Sequence, residues 1–254
     1  MQQHISYSEL KDWKYCPYYH KLTRIDGLSG FKGNEYTAFG TAIHSVCERK
    51  MLNEQFEANE YFLSEFDKNL SGLDDDVPTN EKLIEKMCVQ GATILPHIEP
   101  AIKEKFGNFK VVSTEEKLMV PIEGTNFNFK GYIDLVIQTD DGKYHVIDWK
   151  TCSWGWDMRK RSDPMVTYQL TLYKKFFAIK HNIDSANIET HFALLKRTAK
   201  KNQVEFVDVS SGAIKTNNAS KLLMLALSNI EKKKAIKNRL SCKNCQFYKT
   251  EHCT

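Results

Sequence analysis

Phe127-Asn128-Phe129-Lys130-Gly131-Tyr132-Ile133-Asp134-Leu135-Val136-Ile137-Gln138-Thr139, then Asp140-Asp141-Gly142, then Lys143-Tyr144-His145-Val146-Ile147-Asp148-Trp149-Lys150 is the stretch on which the fold of this chain turns. Two runs rich in β-branched and aromatic residues flank a turn sequence, which predicts a hairpin of strands 127–139 and 143–150. In a three-residue loop with Gly142 left-handed in a G1 bulge, Thr139 pairs with Lys143 and Asp134 falls opposite Asp148, their Cβ atoms about 5 Å apart. A two-residue loop instead sets Asp134 against Trp149 and sends the two acids to opposite faces. Asp148 and Lys150, two apart on one strand, share a face. Two carboxylates at one spot are hard oxygen ligands suited to Mg²⁺ or Mn²⁺, and a neighbouring lysine can orient or deprotonate a water that attacks a phosphodiester. The plainer alternative is an exposed hairpin with ordinary surface charges.

Downstream, Asp163-Pro164 is an N-cap followed by proline at the first helical position, opening a helix to about Lys180 with the apolar stripe Met165, Tyr168, Leu172, Phe176 and Ile179. Residues 188–196 and 203–209 read as strands, and 219–240 as a long helix ending in Glu231-Lys232-Lys233-Lys234. Upstream, Val111-Val112-Ser113 and Lys117-Leu118-Met119-Val120 predict a strand or strand pair. Before them the chain is mostly helical. Ser6-Tyr7-Ser8-Glu9 reads as a capping box for a helix that Cys16-Pro17 stops near Tyr15. A second helix follows Gly40-Thr41 with Ile43, His44, Val46 and Cys47, and an acidic helical stretch reaches Phe106 with a break at 71–79. This gives a helical N-terminal region (1–109) carrying Cys16 and His44, a core (110–218), and a basic helix with a Cys-rich end (219–254), in one compact unit.

With 41% hydrophobic and 27% charged residues among 254, the chain has the apolar mass for a sizeable core, which excludes general disorder. Twelve Gly and six Pro exclude collagen-like and low-complexity classes. No apolar run approaches the roughly 18 residues of a membrane span, and Met1-Gln2-Gln3-His4 begins no signal peptide, so a cytoplasmic location is expected. The net charge of +4 hides an asymmetry: 54–85 holds ten acidic and two basic residues, 196–243 twelve basic and three acidic. A polyanionic partner and simple solvated lysines both account for the basic third. Between the hairpin and the next helix, Trp154 and Trp156 beside Arg159, Lys160 and Arg161 can stack bases and hold phosphates of single-stranded nucleic acid, or cover the core edge. Of seven cysteines, Cys47 and Cys88 lie in helical patterns as small hydrophobes, whereas Cys242, Cys245 and Cys253 crowd the last thirteen residues with the two-residue spacing of metal-binding thiolates.

Gly131-Tyr132-Ile133-Asp134, Ile147-Asp148-Trp149-Lys150-Thr151 and Gln169-Leu170-Thr171-Leu172-Tyr173 resemble the successive motifs of RecB-type nucleases in the PD-(D/E)XK superfamily. Phe39-Gly40-Thr41-Ala42-Ile43-His44 is similar to the family's upstream histidine motif, and Ser6 through Pro17 to its N-terminal segment ending Cys-Pro. Each motif is short, but five stand in the family's order across nearly the whole chain. Ile133 occupies the place of the superfamily's proline, as is usual in this branch. The resemblance implies an α/β fold with a restriction-endonuclease-like core, a mixed central sheet flanked by helices. It implies Asp134, Asp148, the Trp149 carbonyl and His44 as metal ligands, Lys150 as the catalytic lysine, and Gln169 and Tyr173 reaching into the same cleft from one helix face. Glu115 or Glu116 resembles a further acid. A neutral His44 adds a ligand without charge and biases the site toward Mn²⁺.

One branch of the family holds a 4Fe–4S cluster on one N-terminal and three C-terminal cysteines, which Cys16, Cys242, Cys245 and Cys253 match in number and location; zinc is the alternative. The expected activity is metal-dependent hydrolysis near DNA ends, single strands favoured, with a helicase or recombination or CRISPR-adaptation proteins as partners. A catalytically silent DNA-binding subunit and a zinc-stapled endonuclease are the competing readings. No P-loop of the form G-x-x-x-x-G-K-S/T occurs, so any motor is another polypeptide.

Overall fold

A computed structural model describes residues 3–28 and 30–254. In chain order the elements are β1 (Gln3–Ser6), α1 (Tyr7–Tyr15), α2 (Pro17–His20), α3 (Glu35–Met51), α4 (Ala58–Ser71), α5 (Glu81–Ile94), α6 (Ile98–Phe106), β2 (Phe109–Pro121), β3 (Phe127–Thr139), β4 (Tyr144–Cys152), α7 (Met158–Ser162), α8 (Pro164–His181), β5 (Ile188–Lys196), β6 (Val204–Asp208) and α9 (Ala213–Glu231). They fall into two compact units, residues 32–118 with 132–211, and residues 1–31 with 119–131 and 212–254. Among the described residues no helix is long and apolar enough to cross a membrane.

The larger unit is built on β3, β4, β5 and β6, paired in that order. β3–β4 and β5–β6 are antiparallel and β4–β5 parallel, so the sheet is mixed. Parallel β4 and β5 need a crossover, and α8 supplies it. One face buries Leu135, Ile137, Ile147, Trp149, Ala193 and Leu195 against α3, α4, α5 and α6. The other packs on α8, whose Asp163 side chain accepts from the Met165 N–H and whose Pro164 opens the first turn.

The larger unit's helices depend on close approach. A Cβ at Gly91 would lie 2.2 Å from the Phe62 ring, which packs against Phe39 and Phe66. Gly91→Ala should therefore destabilise the fold by about 1–3 kcal/mol through overpacking. Chemical denaturation would check this, and an unchanged midpoint would mean that α4 and α5 do not pack this tightly.

In the smaller unit β1 pairs in parallel with the start of β3, Gln3↔Phe127 to Ser6↔Lys130. The first helix ends at Tyr15 as the Cys16-Pro17 step dictates. Only half of the expected capping box forms: Ser6 Oγ accepts from the Glu9 N–H at 3.2 Å, but the Glu9 carboxylate pairs with His20 at 2.9 Å. The chain ends meet here. Tyr15 Oη donates to the Ser241 carbonyl at 2.7 Å, Asn238 Nδ2 donates to the Tyr15 carbonyl at 2.8 Å, and the Asn238 N–H reaches Cys16 Sγ at 3.2 Å.

Two helix boundaries and one buried stripe differ from expectation. The helix placed after Gly40-Thr41 starts earlier, at Glu35, because Asn34 and Thr37 form a reciprocal capping box that the Gly-Thr pair obscured. The last helix spans 213–231 rather than 219–240, ending where three consecutive lysines repel and Lys233 turns left-handed at φ 53°. The stripe assigned to α8 is displaced: Ile179 is exposed, while Thr167, Leu170, Thr171, Tyr173 and Phe177 join Leu172 and Phe176 inside. Thr167 and Thr171 return their hydroxyl protons to carbonyls four residues back, so they can be buried.

Candidate active site

The hairpin register is set at its turn. Gly142 has φ 83° and the Thr139 N–H donates to the Lys143 carbonyl at 3.1 Å, so the loop is the three-residue form. The ladder runs Gln138↔Tyr144, Ile137↔His145, Val136↔Val146, Leu135↔Ile147. The paired ladder ends there; continued by one step, the same register sets Asp134 against Asp148. The Trp149 N–H donates to Asp134 Oδ2 at 2.7 Å, fixing that carboxylate between the strands.

Around Asp148 the side chains converge. Its Oδ1 accepts from Gln169 Nε2 at 2.7 Å, and its Oδ2 pairs with Lys150 Nζ at 2.6 Å without a hydrogen bond of its own. Gln169 and Tyr173, one turn apart on α8, are themselves in contact, Nε2 to Oη at 3.4 Å. His44 comes from α3, with Nδ1 at 3.7 Å from Asp134 Oδ2. At Gly40 α3 lies close on β4, where a Cβ would meet Thr151 Oγ1 at an ordinary contact distance of 3.5 Å, and His44 follows one turn later.

Burial governs the electrostatics. It pushes both the Asp134 and the Asp148 carboxyl up to about 6, against the pull of the Lys150 charge. It alone would lower Lys150, but Asp148 and Asp134 outweigh it and hold the ammonium charged above its ordinary value. Burial, then Lys150, brings His44 down to about 4, so the imidazole is neutral at pH 7. Burial and the Asp148 charge take Tyr173 up to about 12, leaving its hydroxyl protonated.

An acid raised in the folded state adds stability below its unfolded value near 4 and loses it as pH rises through about 6. Asp134→Asn keeps an acceptor for Trp149 while removing the charge. In chelator it should therefore melt above the parent at pH 8 and level with it near pH 4. The shift of about two units is worth on the order of 2–3 kcal/mol, or several degrees in a chain of this size. Equal melting temperatures at pH 8 would show that the carboxylate is not strained.

The donor set suits a hard divalent cation. The Asp148 carboxylate, 2% exposed and paired with Lys150, lies close enough to Asp134 to feel its charge, and the neutral His44 imidazole stands 3.7 Å from Asp134 Oδ2. Of the two candidate acids on β2, Glu116 is taken by Lys180 at 2.6 Å and His181 at 2.8 Å. Glu115 instead interacts electrostatically with Asp148 and with Glu48. It sits within β2 at a left-handed residue, φ 46°. Glu48 escaped the sequence reading, although it lies four residues after His44 on one helix face.

The tryptophan loop divides. Trp154 is 78% exposed with Arg159 and Lys160 also on the surface, whereas Trp156 is 8% exposed and packs on Phe192 with ring centroids 5.0 Å apart. Arg161 donates to the Trp156 carbonyl and pairs with Glu205. Trp156 and Arg161 thus close the core edge. Cys16, Cys242, Cys245 and Cys253 all belong to the smaller unit, none in a disulfide.

A crystal structure of a "Putative exonuclease" from Eubacterium rectale superposes with TM-score 0.62 at 13% identity, covering 96% of this chain and 86% of that one. A second solved structure, of the protein SSO0001, gives TM-score 0.39 at 16% identity over 94% and 92% of the two chains. No curated protein matches. The family model described as PD-(D/E)XK nuclease superfamily matches residues 4–250, and with it the mixed sheet and the acids on its hairpin find their place: the chain belongs to the PD-(D/E)XK nuclease superfamily.

Proposed function

We propose that this nuclease is an exonuclease of the RecB-type branch, hydrolysing phosphodiester bonds near DNA ends with a preference for single strands. The observation that carries the reading is the buried Asp148–Lys150 pair opposite Asp134, with His44 alongside. Asp134, Asp148, the Trp149 carbonyl and His44 would hold a Mg²⁺ or Mn²⁺ ion, which when bound supplies Lewis acidity and lowers the pKa of water. Lys150, kept charged by its two acids, donates to the attacking water and balances negative charge as the phosphate becomes five-coordinate. Its raised value favours orienting that water over deprotonating it. Gln169 fixes the rotation of the Asp148 carboxylate, and the protonated Tyr173 hydroxyl offers a second donor beside it. Exposed Trp154, Arg159 and Lys160 suit a stacked base and its phosphates, and Trp156 and Arg161 support them from below.

The same reading assigns Cys16, Cys242, Cys245 and Cys253 to a 4Fe–4S cluster. Cys16, Cys242 and Cys245 all act on the Tyr15 hydroxyl, and Cys16 already receives the Asn238 N–H, as sulfur ligands commonly do. Among the described residues the cysteine sulfurs form no group within 4.8 Å.

The test is digestion of end-labelled linear single- and double-stranded DNA against closed circles, with Mg²⁺ or Mn²⁺. Linear single strands should be degraded fastest and circles left intact, and cutting of circles at comparable rate would overturn the exonuclease assignment. His44→Ala should weaken cleavage and shift the Mg²⁺ to Mn²⁺ preference. An unchanged metal profile would remove His44 from the site.

A further inference from the structure

We propose that His145, Glu189 and His191 form a second metal site, separate from the active site, for a divalent transition ion of the zinc class. In the parallel ladder His145 lies against Glu189, with His191 two residues further along β5, so all three project from one face of the sheet. His145 Nδ1 and His191 Nε2 face each other at 3.1 Å, Glu189 Oε2 is 3.6 Å from His145 Nδ1, and the three ligand atoms lie within 4.8 Å of one another. Ligands at about 2.0–2.1 Å around a tetrahedral ion stand roughly 3.3 Å apart. Two of the separations are therefore already within a few tenths of an ångström of ligand spacing, and the third, at no more than 4.8 Å, closes by a turn of the exposed Glu189 side chain.

The outer nitrogens explain why this is more than a chance cluster. His191 Nδ1 is 2.8 Å from Asp208 Oδ1, and a carboxylate there takes a proton from the ring. His145 Nε2 is 3.1 Å from Thr139 Oγ1, whose own proton goes to Asp141 Oδ1 at 2.5 Å, so the hydroxyl accepts from the ring. Both protons are thereby placed on the outer nitrogens. Two lone pairs are left aimed at each other across 3.1 Å, an arrangement that a cation between them relieves. Partners of this kind are what orient histidine ligands toward a metal. Lys143 Nζ binds Glu189 Oε1 at 2.7 Å and leaves Oε2 for the ion. Phe106 packs on both imidazoles at 4.8 and 5.1 Å between ring centroids, holding them in place. A cavity of about 320 Å³ opens on His145 and Glu189, so a water can fill the fourth position.

Two imidazoles and one carboxylate select zinc, cobalt or nickel over magnesium. His145 precedes Asp148 by three residues and points to the opposite face of β4. The ion would tie β4 to β5 rather than take part in cleavage.

Co²⁺ titration of the full chain with its cysteine site left loaded, freed of loosely held ions and carrying Asp148→Asn to silence the active site, followed by difference absorption, tests this. One Co²⁺ should bind with visible absorption of nitrogen and oxygen ligation, free of thiolate charge transfer, and excess Mg²⁺ should not displace it. In that background Glu189→Gln should weaken binding about tenfold or more, His191→Gln should abolish it, and the rise in melting temperature with Zn²⁺ should disappear with His191. Glu189 is 43% exposed at its side chain, so its variant keeps the fold and decides the matter even if His191→Gln does not. Equal Co²⁺ affinity with and without Glu189→Gln, or spectra showing only thiolate ligation, would overturn the site.

Discussion

Lys150→Ala is expected to lower DNA cleavage by about 10³-fold or more while leaving DNA affinity nearly unchanged. The ammonium at 2.6 Å is the counter-charge of Asp148, a residue 2% exposed whose carboxyl burial has already raised to about 6. Without it the carboxyl rises further, so the truncation removes the cation that orients water and also weakens the acid beside it. Asp148→Ala should do comparable damage from the other side, stranding Lys150 and releasing Gln169 Nε2. Binding survives because most affinity for a polyanion comes from charges spread over a surface, of which Lys150 is one. Single-turnover cleavage and fluorescence anisotropy on the same preparations separate the two effects. Turnover within tenfold of the parent for either variant, in protein with native circular dichroism, would remove the pair from the chemistry.

The elements that carry this pair were legible because their signals are local. A left-handed glycine fixed the hairpin register and with it the opposition of Asp134 and Asp148, and a proline after an aspartate fixed the start of α8 and the placement of Gln169 and Tyr173. Strand β5 showed as an apolar run because it is buried on both faces. What the chain hid depends on contacts far apart in sequence. Strand β1 has four residues, too few for a period, and exists because β3 offers it a partner. Glu48 and Glu115 approach each other from a helix and a strand, and no spacing links them. Trp154 and Trp156 look alike in a loop, and only the position of Phe192 decides which is covered. His145 and His191 read as residues of apolar strands, and their pairing follows from a parallel register that a crossover helix creates.

On the proposed assignment of Cys16, Cys242, Cys245 and Cys253 to a cluster, Cys16→Ser is expected to remove the cluster and most of the stability, the largest structural effect of any single change considered. Cys16 is 8% exposed at the junction of α1 and α2. The C-terminal segment is laid against it by the Asn238 N–H at 3.2 Å, by Tyr15 on Ser241, and by Tyr18 Oη on the His252 carbonyl at 3.1 Å. After α9 that segment carries one short turn of 3-10 helix and one isolated bridge, Thr250↔Cys253, so little regular structure holds it. A metal link across more than 220 residues of sequence would remove chain entropy that grows only logarithmically with loop length, and it would also restrain a segment whose own hydrogen bonds are those of short turns. Anaerobically purified parent protein should be brown, with iron and sulfide near four per chain, and Cys16→Ser should be colourless, aggregation-prone and sensitive to proteolysis after α9. Colourless parent protein holding one tight zinc would replace the cluster but keep the staple. A Cys16→Ser variant with unchanged metal content and melting temperature would show that Cys16 is no ligand and that the two chain ends hold together without a metal link through it.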